Sequence, residues 1–287
     1  MYELGVEVEE NSELDLLVAY KEHADDPRIP EVCADMAAEM GEGKYYPDLL
    51  ARMAQFELTL LDWAEAHKGS KKYVAFADKC WPAFPSQFGF EPCYVNSRLV
   101  SRGIPVSCEV DIYGALSEYI GMCVSGDTVT LLDINNSVPK YIYDEDIAGK
   151  FDYKLTDTFM GFHCGNTPSC KMCADRAVKY QLIQHRLLEP AGSEPDFTRG
   201  TLEGDIAASD ITFYRLQCDS EGNLRAYIAQ GEVLPVATRS FGGIGIFAIP
   251  EMGRFYRHVL IQKRYPHHGA VAFAHCGKAL FEVLKYF

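Results

Sequence analysis

The stretch ITFYRLQCDSEGNLRAYIAQGEVLP, residues 211–235, contains two runs of strand-forming residues separated by one turn. Its aromatic and β-branched residues favour strands, whereas the intervening DSEGN, residues 219–223, is rich in residues that reverse the chain. Similar runs precede it in VKYQLIQHRLL, residues 178–188, and in GTLEGDIAASD, residues 200–210. Short strands joined by turns predict a mostly antiparallel, barrel-like β domain in this part of the chain.

Upstream of this region, short apolar runs alternate with helical patterns. The apolar runs are YVAFADKCW, IPVSCEVD, DTVTLLDINN and TDTFMGFHCGN, and the helical patterns are CYVNSRLVSRG and YGALSEYIGMCV. Such alternation is typical of βα units, which build parallel sheets. We therefore predict an α/β fold: a Rossmann-like domain with a parallel sheet over residues 1–175, then the β-rich domain over residues 176–287, ending in a helix from AVAFAHCGKALFEVLKY, residues 270–286.

The N-terminal segment of the first domain has a helical pattern. SELDLLVAYKEH begins at Ser12 and has Glu13 and Asp15 in its first turn, which favours a helix start. IPEVCADMAAEM has Pro30 near its first position, where proline is tolerated. YPDLLARMAQFELTLLDWAEAHKG has apolar residues at helical spacing and stops at Gly69. We predict helices over all three.

Composition limits the partners of the chain. Of its 287 residues, 48% are hydrophobic, enough for a substantial core, and the formal net charge is −14. A strongly acidic protein lacks the basic surface that nucleic acids and anionic membranes require. The sequence has no apolar run of membrane-spanning length and no secretion signal at its N-terminus. We expect a cytoplasmic protein whose ten cysteines are reduced and mostly act as small buried hydrophobes.

Candidate catalytic groups concentrate where the predicted strands end. Glu109 and Asp111 stand two residues apart in CEVD, so both would face the same way in extended geometry. Two neighbouring carboxylates can bind a divalent cation or divide acid and base roles. The alternative is that one of them caps the following helix. Glu91, in FGFEPC, is a weaker candidate whose alternative is an ordinary surface glutamate.

The segment FHCGNTPSCKMC offers two kinds of site. His163 and Asn166 flank a glycine after a predicted strand and could point into a cleft, or they could simply hydrogen-bond within the turn. Cys164, Cys170 and Cys173 could instead hold zinc or an iron–sulfur cluster. Only the C-x2-C part has the usual zinc spacing, and no second close pair follows.

A histidine pair, His267-His268, completes the set in RYPHHGAV. Alone, the pair could be core or surface histidines. Combined with Glu91, Asp111 and His163, it provides carboxylates and imidazole, a donor set that suits Mn²⁺, Co²⁺ or Mg²⁺ with positions left open for a substrate.

These motifs resemble the metal-dependent L-fucose isomerase and L-arabinose isomerase group, over roughly residues 70–287 and in the same order along the chain. The resemblance is carried by KCWP, GIPVSCEVDIYGAL, FHCGN, GTLEGDIAASDITFYRL, GEVLP and YPHHGAV. It implies an aldose–ketose isomerase that moves a proton between C1 and C2 of a free sugar through an enediolate. It also implies a Mn²⁺-type ion held by two carboxylates and one histidine.

Carried over to this chain, the resemblance assigns a role to each motif residue. Asp111 and Glu91 become metal ligands that also act as acid and base, although Glu91 stands closer to Asp111 than the family spacing. His268, or else His267, becomes the histidine ligand. The pocket residues implied are Trp81, Glu109, His163 and Asn166, with Arg98 as a further hydroxyl partner.

The resemblance also concerns assembly. Family members carry an additional N-terminal α/β domain, form trimers or hexamers, and place their active sites between subunits. This chain begins where the family's second domain would be. We therefore expect a homo-oligomer acting on a small sugar, and the alternative is a non-catalytic carbohydrate-binding relative or a fragment without the first domain.

Overall fold

In the computed structural model, which describes residues 4–286, the N-terminal segment is helical as predicted. Helix α1 spans Glu13–Glu22, α2 spans Ile29–Met40 and α3 spans Pro47–His67. Ser12 caps α1, since its side chain accepts a hydrogen bond of 3.0 Å from the amide of Leu14. The three helices pack their apolar faces against each other and form one hydrophobic core.

The prediction of a Rossmann-like parallel sheet is wrong. The first part of the chain has one small parallel sheet, in which β1, Phe76–Ala77, pairs with β2, Val106–Ser107. The run IPVSCEVD cannot continue as a strand because Glu109 and Val110 both have left-handed backbone conformations. The helices around this sheet are α4 (Ala83–Phe88), α5 (Cys93–Ser101) and α6 (Ile112–Ser125).

The other two apolar runs do form strands, but in a different sheet. Strand β3, Val129–Asn136, pairs with β4, Thr158–His163, in antiparallel orientation. The connection between them contains the short helix α7, Lys140–Ile142, a π-helical turn at Tyr143–Ile147 and a 3-10 turn at Leu155–Asp157. An apolar run shows that a strand is buried but not which partner it pairs with, and this explains the error.

The large sheet contains eight strands in the order β4-β3-β10-β7-β8-β9-β6-β5. The remaining strands and α-helices are β5 (Ala177–Tyr180), α8 (Leu182–Leu188), β6 (Gly200–Asp205), β7 (Ser209–Cys218), β8 (Leu224–Val233), β9 (Gly243–Ala248), α9 (Met252–Phe255), β10 (His268–Ala272) and α10 (Gly277–Leu284). Neighbouring strands are antiparallel except β6 and β9. Because β4 also pairs with β9, six of the strands close into a ring. The prediction of a mostly antiparallel sheet is confirmed, although β3 and β4 of the ring precede the predicted β domain.

Two local predictions in this region need correction. VKYQLIQHRLL forms the short strand β5 and then helix α8, rather than one strand. The predicted final helix over residues 270–286 is a strand, β10, up to Ala272, and the helix α10 starts at Gly277. The small apolar residues at 270–272 are compatible with a buried central strand as well as with a helix, because a short apolar run has no periodicity that distinguishes the two.

Aromatic rings from different strands fill the core of this ring of strands. Phe159 of β4 lies 5.3 Å from Phe247 of β9, and Phe213 of β7 lies 5.7 Å from Tyr227 of β8, between ring centroids. Gly269 of β10 is required here, because a Cβ atom on it would lie 2.2 Å from the ring of Phe213. The packing therefore fixes the position of β10 against β7.

The large sheet takes β3 and β4 from before residue 175 and β5 to β10 from after it. The domain boundary near residue 175 stays a prediction. Among residues 4–286, none of the helices has the length and apolar character needed to cross a bilayer.

Candidate active site

The pairing of β10 with β3 places a histidine beside an aspartate. His268 is the direct cross-strand partner of Asp133, so both side chains leave the sheet on the same face. The distance from His268 Nε2 to Asp133 Oδ1 is 3.0 Å. On the same face, Ala270 and Ala272 pack in one cluster with residues of α6. This arrangement directs His268 towards the start of that helix.

The loop between β2 and α6 contributes two further carboxylates. Glu109 and Val110 have φ angles of 62° and 59°, a conformation that costs energy for residues with a side chain. This turn brings Glu109 Oε2 to 3.4 Å from His268 Nε2. Asp111 follows as the N-cap of α6 and accepts a hydrogen bond of 2.8 Å from the amide of Gly114. Glu109 and Asp111 thus approach opposite edges of one imidazole.

Asp111 makes more contacts than a helix cap requires. Its Oδ2 lies 2.9 Å from His268 Nδ1, so it binds the ring nitrogen that does not face Asp133. Arg215 of β7 contacts both carboxylate oxygens, with 2.7 Å from Nη2 to Oδ1 and a second bond from Nη1 to Oδ2. Asp111 and Arg215 are both largely buried. The helix-capping alternative therefore describes Asp111 correctly but incompletely.

The two other histidines near His268, His163 and His267, differ in burial. His163 is buried, and its ring centroid lies 5.7 Å from that of His268. Its Nδ1 accepts a hydrogen bond of 3.2 Å from the amide of Cys164. His267 is exposed, with its Nε2 3.4 Å from Asp133 Oδ1. The cross-strand position thus buries one member of the histidine pair and leaves the other at the surface.

The donor atoms fit a divalent cation. Within this cluster, two sets of three side chains each have ligand atoms within 4.8 Å of one another: Glu109, His267 and His268, and Asp133, His163 and His268. Three buried polar atoms in these sets, Asp133 Oδ1, His163 Nε2 and His268 Nε2, have no hydrogen-bond partner. His268 Nε2 and Asp133 Oδ1 are close, but they are not aligned as a hydrogen bond. Buried donors that converge without bonding each other are what a cation site requires.

The electrostatics of the cluster also favour a cation. Burial opposes a charge on His268, but its contacts with Asp111, Asp133 and Glu109 prevail and raise its pKa to about 11. The contact with His268 lowers the pKa of Glu109, and it also lowers that of Asp133 in spite of burial. The carboxylates that favour a proton on Nε2 equally favour a metal ion in its place. Burial lowers the pKa of His163 and keeps that ring neutral.

Other residues predicted from the sequence lie elsewhere. Glu91 is buried, its Oε1 has no hydrogen-bond partner, and burial raises its pKa to about 8. It belongs to neither set of converging side chains. Trp81 is half-buried. Asn166 is buried, and its Nδ2 donates a hydrogen bond of 3.1 Å to the carbonyl oxygen of Val106, at the base of the loop that carries Glu109. The roles of these three residues stay predictions.

The guanidinium of Arg98 is already paired with acidic side chains. Its guanidinium contacts three carboxylates, with 2.6 Å to Asp35, 2.5 Å to Glu57 and a third contact to Glu39. This network joins α2, α3 and α5, and nothing in it points to a sugar site.

The alternative of a thiolate metal site gains no support. Within residues 4–286, no cysteine belongs to a set of three converging metal-ligand side chains. Cys164, Cys170 and Cys173 are free thiols.

Asp133, which lies 3.0 Å from His268, was not among the residues assigned to the site from the sequence. It stands in LLDINN, where a polar residue follows a buried strand run, a signal visible in the sequence. The missing information was the register of β3 with β10, which no local pattern reveals.

Known proteins resemble this chain in both sequence and domain content. Residues 161–287 match the family described as L-fucose isomerase, C-terminal domain. The sulfoquinovose isomerase of Alkalicoccus urumqiensis is 25% identical over 244 residues, which cover 82% of this chain and 47% of the relative. That of Clostridium sp. (strain MSTE9) is 27% identical over 179 residues, covering 62% and 34%. That of Priestia megaterium is 25% identical over 190 residues, covering 66% and 36%. The chain thus spans at most about half the length of these relatives.

Proposed function

We propose that the chain interconverts an aldose and a ketose at the cluster around His268, from the premise that residues 161–287 match the family described as L-fucose isomerase, C-terminal domain. One observation carries the proposal. The Nε2 atom of His268 lies 3.0 Å from Asp133 Oδ1 and 3.4 Å from Glu109 Oε2, in a position where no hydrogen bond satisfies it. The sulfoquinovose isomerases that resemble the chain support the same reaction class.

Glu109, Asp133 and His268 are the proposed ligands of a divalent cation, with Mn²⁺ first and Co²⁺ or Mg²⁺ as substitutes. Two carboxylates and one imidazole suit these ions and leave positions for a substrate. This set has the composition expected from the family resemblance, but it replaces Glu91 and Asp111 with Glu109 and Asp133. When bound, the cation would polarise the sugar oxygens and stabilise the negative charge of the enediolate.

Glu109 is the proposed base for the proton that moves between C1 and C2. Its side chain is 54% exposed, whereas that of Asp133 is 16% exposed, so a substrate reaches Glu109 first. The lowered pKa of Glu109, held down by its contact with His268, keeps it ionised at neutral pH and able to accept a proton. A positioned acid or base of this kind contributes about a hundred- to ten-thousand-fold to a rate.

His163 is the proposed donor to a sugar oxygen. Its ring is neutral, and its Nδ1 accepts a hydrogen bond from the amide of Cys164, so its one proton resides on Nε2. That Nε2 has no partner within the protein, which leaves the N–H available to a hydroxyl or carbonyl oxygen of the sugar. This tautomer is the reason for placing His163 at the substrate rather than among the ligands.

The rim of the site supports an assembly in which another subunit covers it. Val110 is 51% exposed and Ile112 is 37% exposed, both beside Glu109. Apolar side chains at the mouth of a polar site favour burial against a partner surface. A homo-oligomer, a trimer or hexamer by the family resemblance, would complete the pocket. Light scattering coupled to size-exclusion chromatography measures the subunit number.

A direct assay tests the function. The protein is incubated with Mn²⁺ and a panel of aldoses that includes L-fucose, L-arabinose and sulfoquinovose, and ketose formation is followed by chromatography. The Glu109→Gln variant is the matched inactive control. Ketose formed by the wild type but not by the variant supports the proposal. Sugar binding without conversion would favour the non-catalytic, carbohydrate-binding alternative.

A further inference from the structure

We infer that Asp111 and Arg215 are positioning residues that hold His268 with Nδ1 protonated and Nε2 directed at the cation. The inference rests on the proposed cation site and assigns to Asp111 a role different from that of a ligand. The contacts of the buried Asp111 carboxylate support it.

The carboxylate of Asp111 has no oxygen left for a metal ion. Its Oδ1 accepts hydrogen bonds from the amide of Gly114 at 2.8 Å and from Arg215 Nη2 at 2.7 Å. Its Oδ2 accepts from Arg215 Nη1 and from His268 Nδ1, the latter at 2.9 Å. An ionised carboxylate offers about four acceptor positions, and these four donors occupy them. Asp133 and Glu109, in contrast, keep oxygens directed at His268 Nε2.

The direction of the contact sets the tautomer of the ring. Asp111 is ionised because it faces a buried guanidinium in a two-pronged pair, and an ionised carboxylate only accepts hydrogen bonds. The Nδ1 of His268 must therefore carry the proton in this contact. When a cation replaces the proton on Nε2, a ring protonated on Nδ1 presents the lone pair of Nε2 to that ion, beside Asp133 and Glu109.

Arg215 is well placed to keep this carboxylate fixed. Its side chain is 3% exposed, and Nη2 also donates a hydrogen bond of 2.9 Å to Gln217 Oε1 of the same strand. Strand β7 pairs directly with β10, the strand that begins at His268. Arg215 and His268 thus lie on neighbouring strands of one sheet, and Asp111, which contacts both, lies at the start of α6. Residues that orient a metal-binding histidine in this way typically contribute about 10- to 100-fold to metal affinity.

Metal binding to four full-length variants tests the inference. The variants are Asp111→Asn, Arg215→Gln, Arg215→Lys and the control Asp210→Asn, an exposed aspartate of the same strand as Arg215. Mn²⁺ affinity is measured by calorimetric titration, and the visible absorption of bound Co²⁺ at saturation reports the ligand set. Asparagine also caps helices well, so Asp111→Asn should fold and still tests the inference if an Arg215 variant fails to fold.

We expect Asp111→Asn and Arg215→Gln to bind Mn²⁺ about 10- to 100-fold more weakly than the wild type, with the Co²⁺ spectrum unchanged at saturation. Arg215→Lys should fall between them and the wild type, and Asp210→Asn should match the wild type. An Mn²⁺ affinity of Asp111→Asn within twofold of the wild type would overturn the inference. So would an altered Co²⁺ spectrum in that variant, because it would identify Asp111 as a ligand. A wild-type protein that binds neither ion would instead refute the proposed cation site, a result visible without any variant.

Discussion

His268 lies directly opposite Asp133 in the antiparallel pair of β10 and β3, although the two residues are 135 positions apart in the chain. Their side chains leave the same face of the sheet, and Nε2 lies 3.0 Å from Oδ1. The pairing register therefore determines the candidate site, because a shift of one residue would turn one of the two side chains to the other face.

Removal of the exposed carboxylate should abolish turnover while the fold persists. We expect Glu109→Gln to lose at least about a hundredfold in kcat, since a base and a ligand are both removed. Ketose formation measures the rate, and metal analysis after dialysis measures bound Mn²⁺. Glu221→Gln, in the exposed turn between β7 and β8, is the control and should behave as the wild type. Turnover by Glu109→Gln at the wild-type rate would refute its role.

The two adjacent histidines should contribute very unequally. His268 is buried between three carboxylates, whereas the side chain of His267 is 61% exposed. We expect His268→Ala to weaken Mn²⁺ binding by more than about a hundredfold and His267→Ala by less than about threefold, as for the loss of a ligand against that of a surface residue. Calorimetric titration of both variants provides the comparison. The reverse order of affinities would make His267 the ligand.

The free energy of unfolding should fall with rising pH because of Glu118, a buried glutamate of α6. Burial raises the pKa of Glu118 to about 8 from 4.5, and its Oε2 accepts a hydrogen bond of 2.6 Å from Ser107 while Oε1 has no partner. Between these pH values the unfolded chain loses this proton before the folded protein does. The contribution of Glu118 to stability is thus present below pH 4.5 and is lost progressively towards pH 8.

The Glu118→Gln variant isolates this effect. The free energy of unfolding of both proteins is measured in urea from pH 5 to pH 9. The wild type should lose stability relative to the variant as the pH rises and should be the less stable of the two above pH 8. A stability difference that does not change with pH would show that Glu118 is not protonated in the folded protein.

A methyl group at Gly269 should disturb the strand that carries His268. The added Cβ would lie 2.2 Å from the ring of Phe213, so β10 or the ring must move. We expect Gly269→Ala to lose about 1–3 kcal/mol of unfolding free energy in urea and also to bind Mn²⁺ more weakly. Gly253→Ala is the control, because its Cβ would lie 3.4 Å from the nearest atom, the carbonyl oxygen of Thr156. Equal stability of the two variants would contradict this account of the packing.

Local signals in the sequence were sufficient for several elements. Ser12 and the acidic first turn after it predicted α1, and the turn DSEGN between two strand-forming runs predicted the β7–β8 hairpin. The motifs from KCWP to YPHHGAV predicted the family that the C-terminal domain matches. These features depend on residues that are near each other in the chain, or on short motifs in a fixed order.

Local sequence patterns do not reveal contacts between residues that are distant in the chain. Glu109 and Asp111 were expected to face the same way in an extended run, but the left-handed turn at Glu109 and Val110 sends them to different nitrogens of His268. The prediction of a parallel sheet was wrong for a similar reason, because an apolar run does not specify the strand with which it pairs.

The sequence by itself determined the strand and helix content of most segments, the acidic character, and the inventory of carboxylates and imidazoles from which a cation site could be built. Only the tertiary structure decided that Asp133 lies against Nε2 of His268 and that Asp111 contacts Nδ1 on the far side of the ring. The physical reason is that strand register and loop conformation are set by the packing of the whole core, such as Gly269 against Phe213, and these distant contacts decide which polar side chains meet.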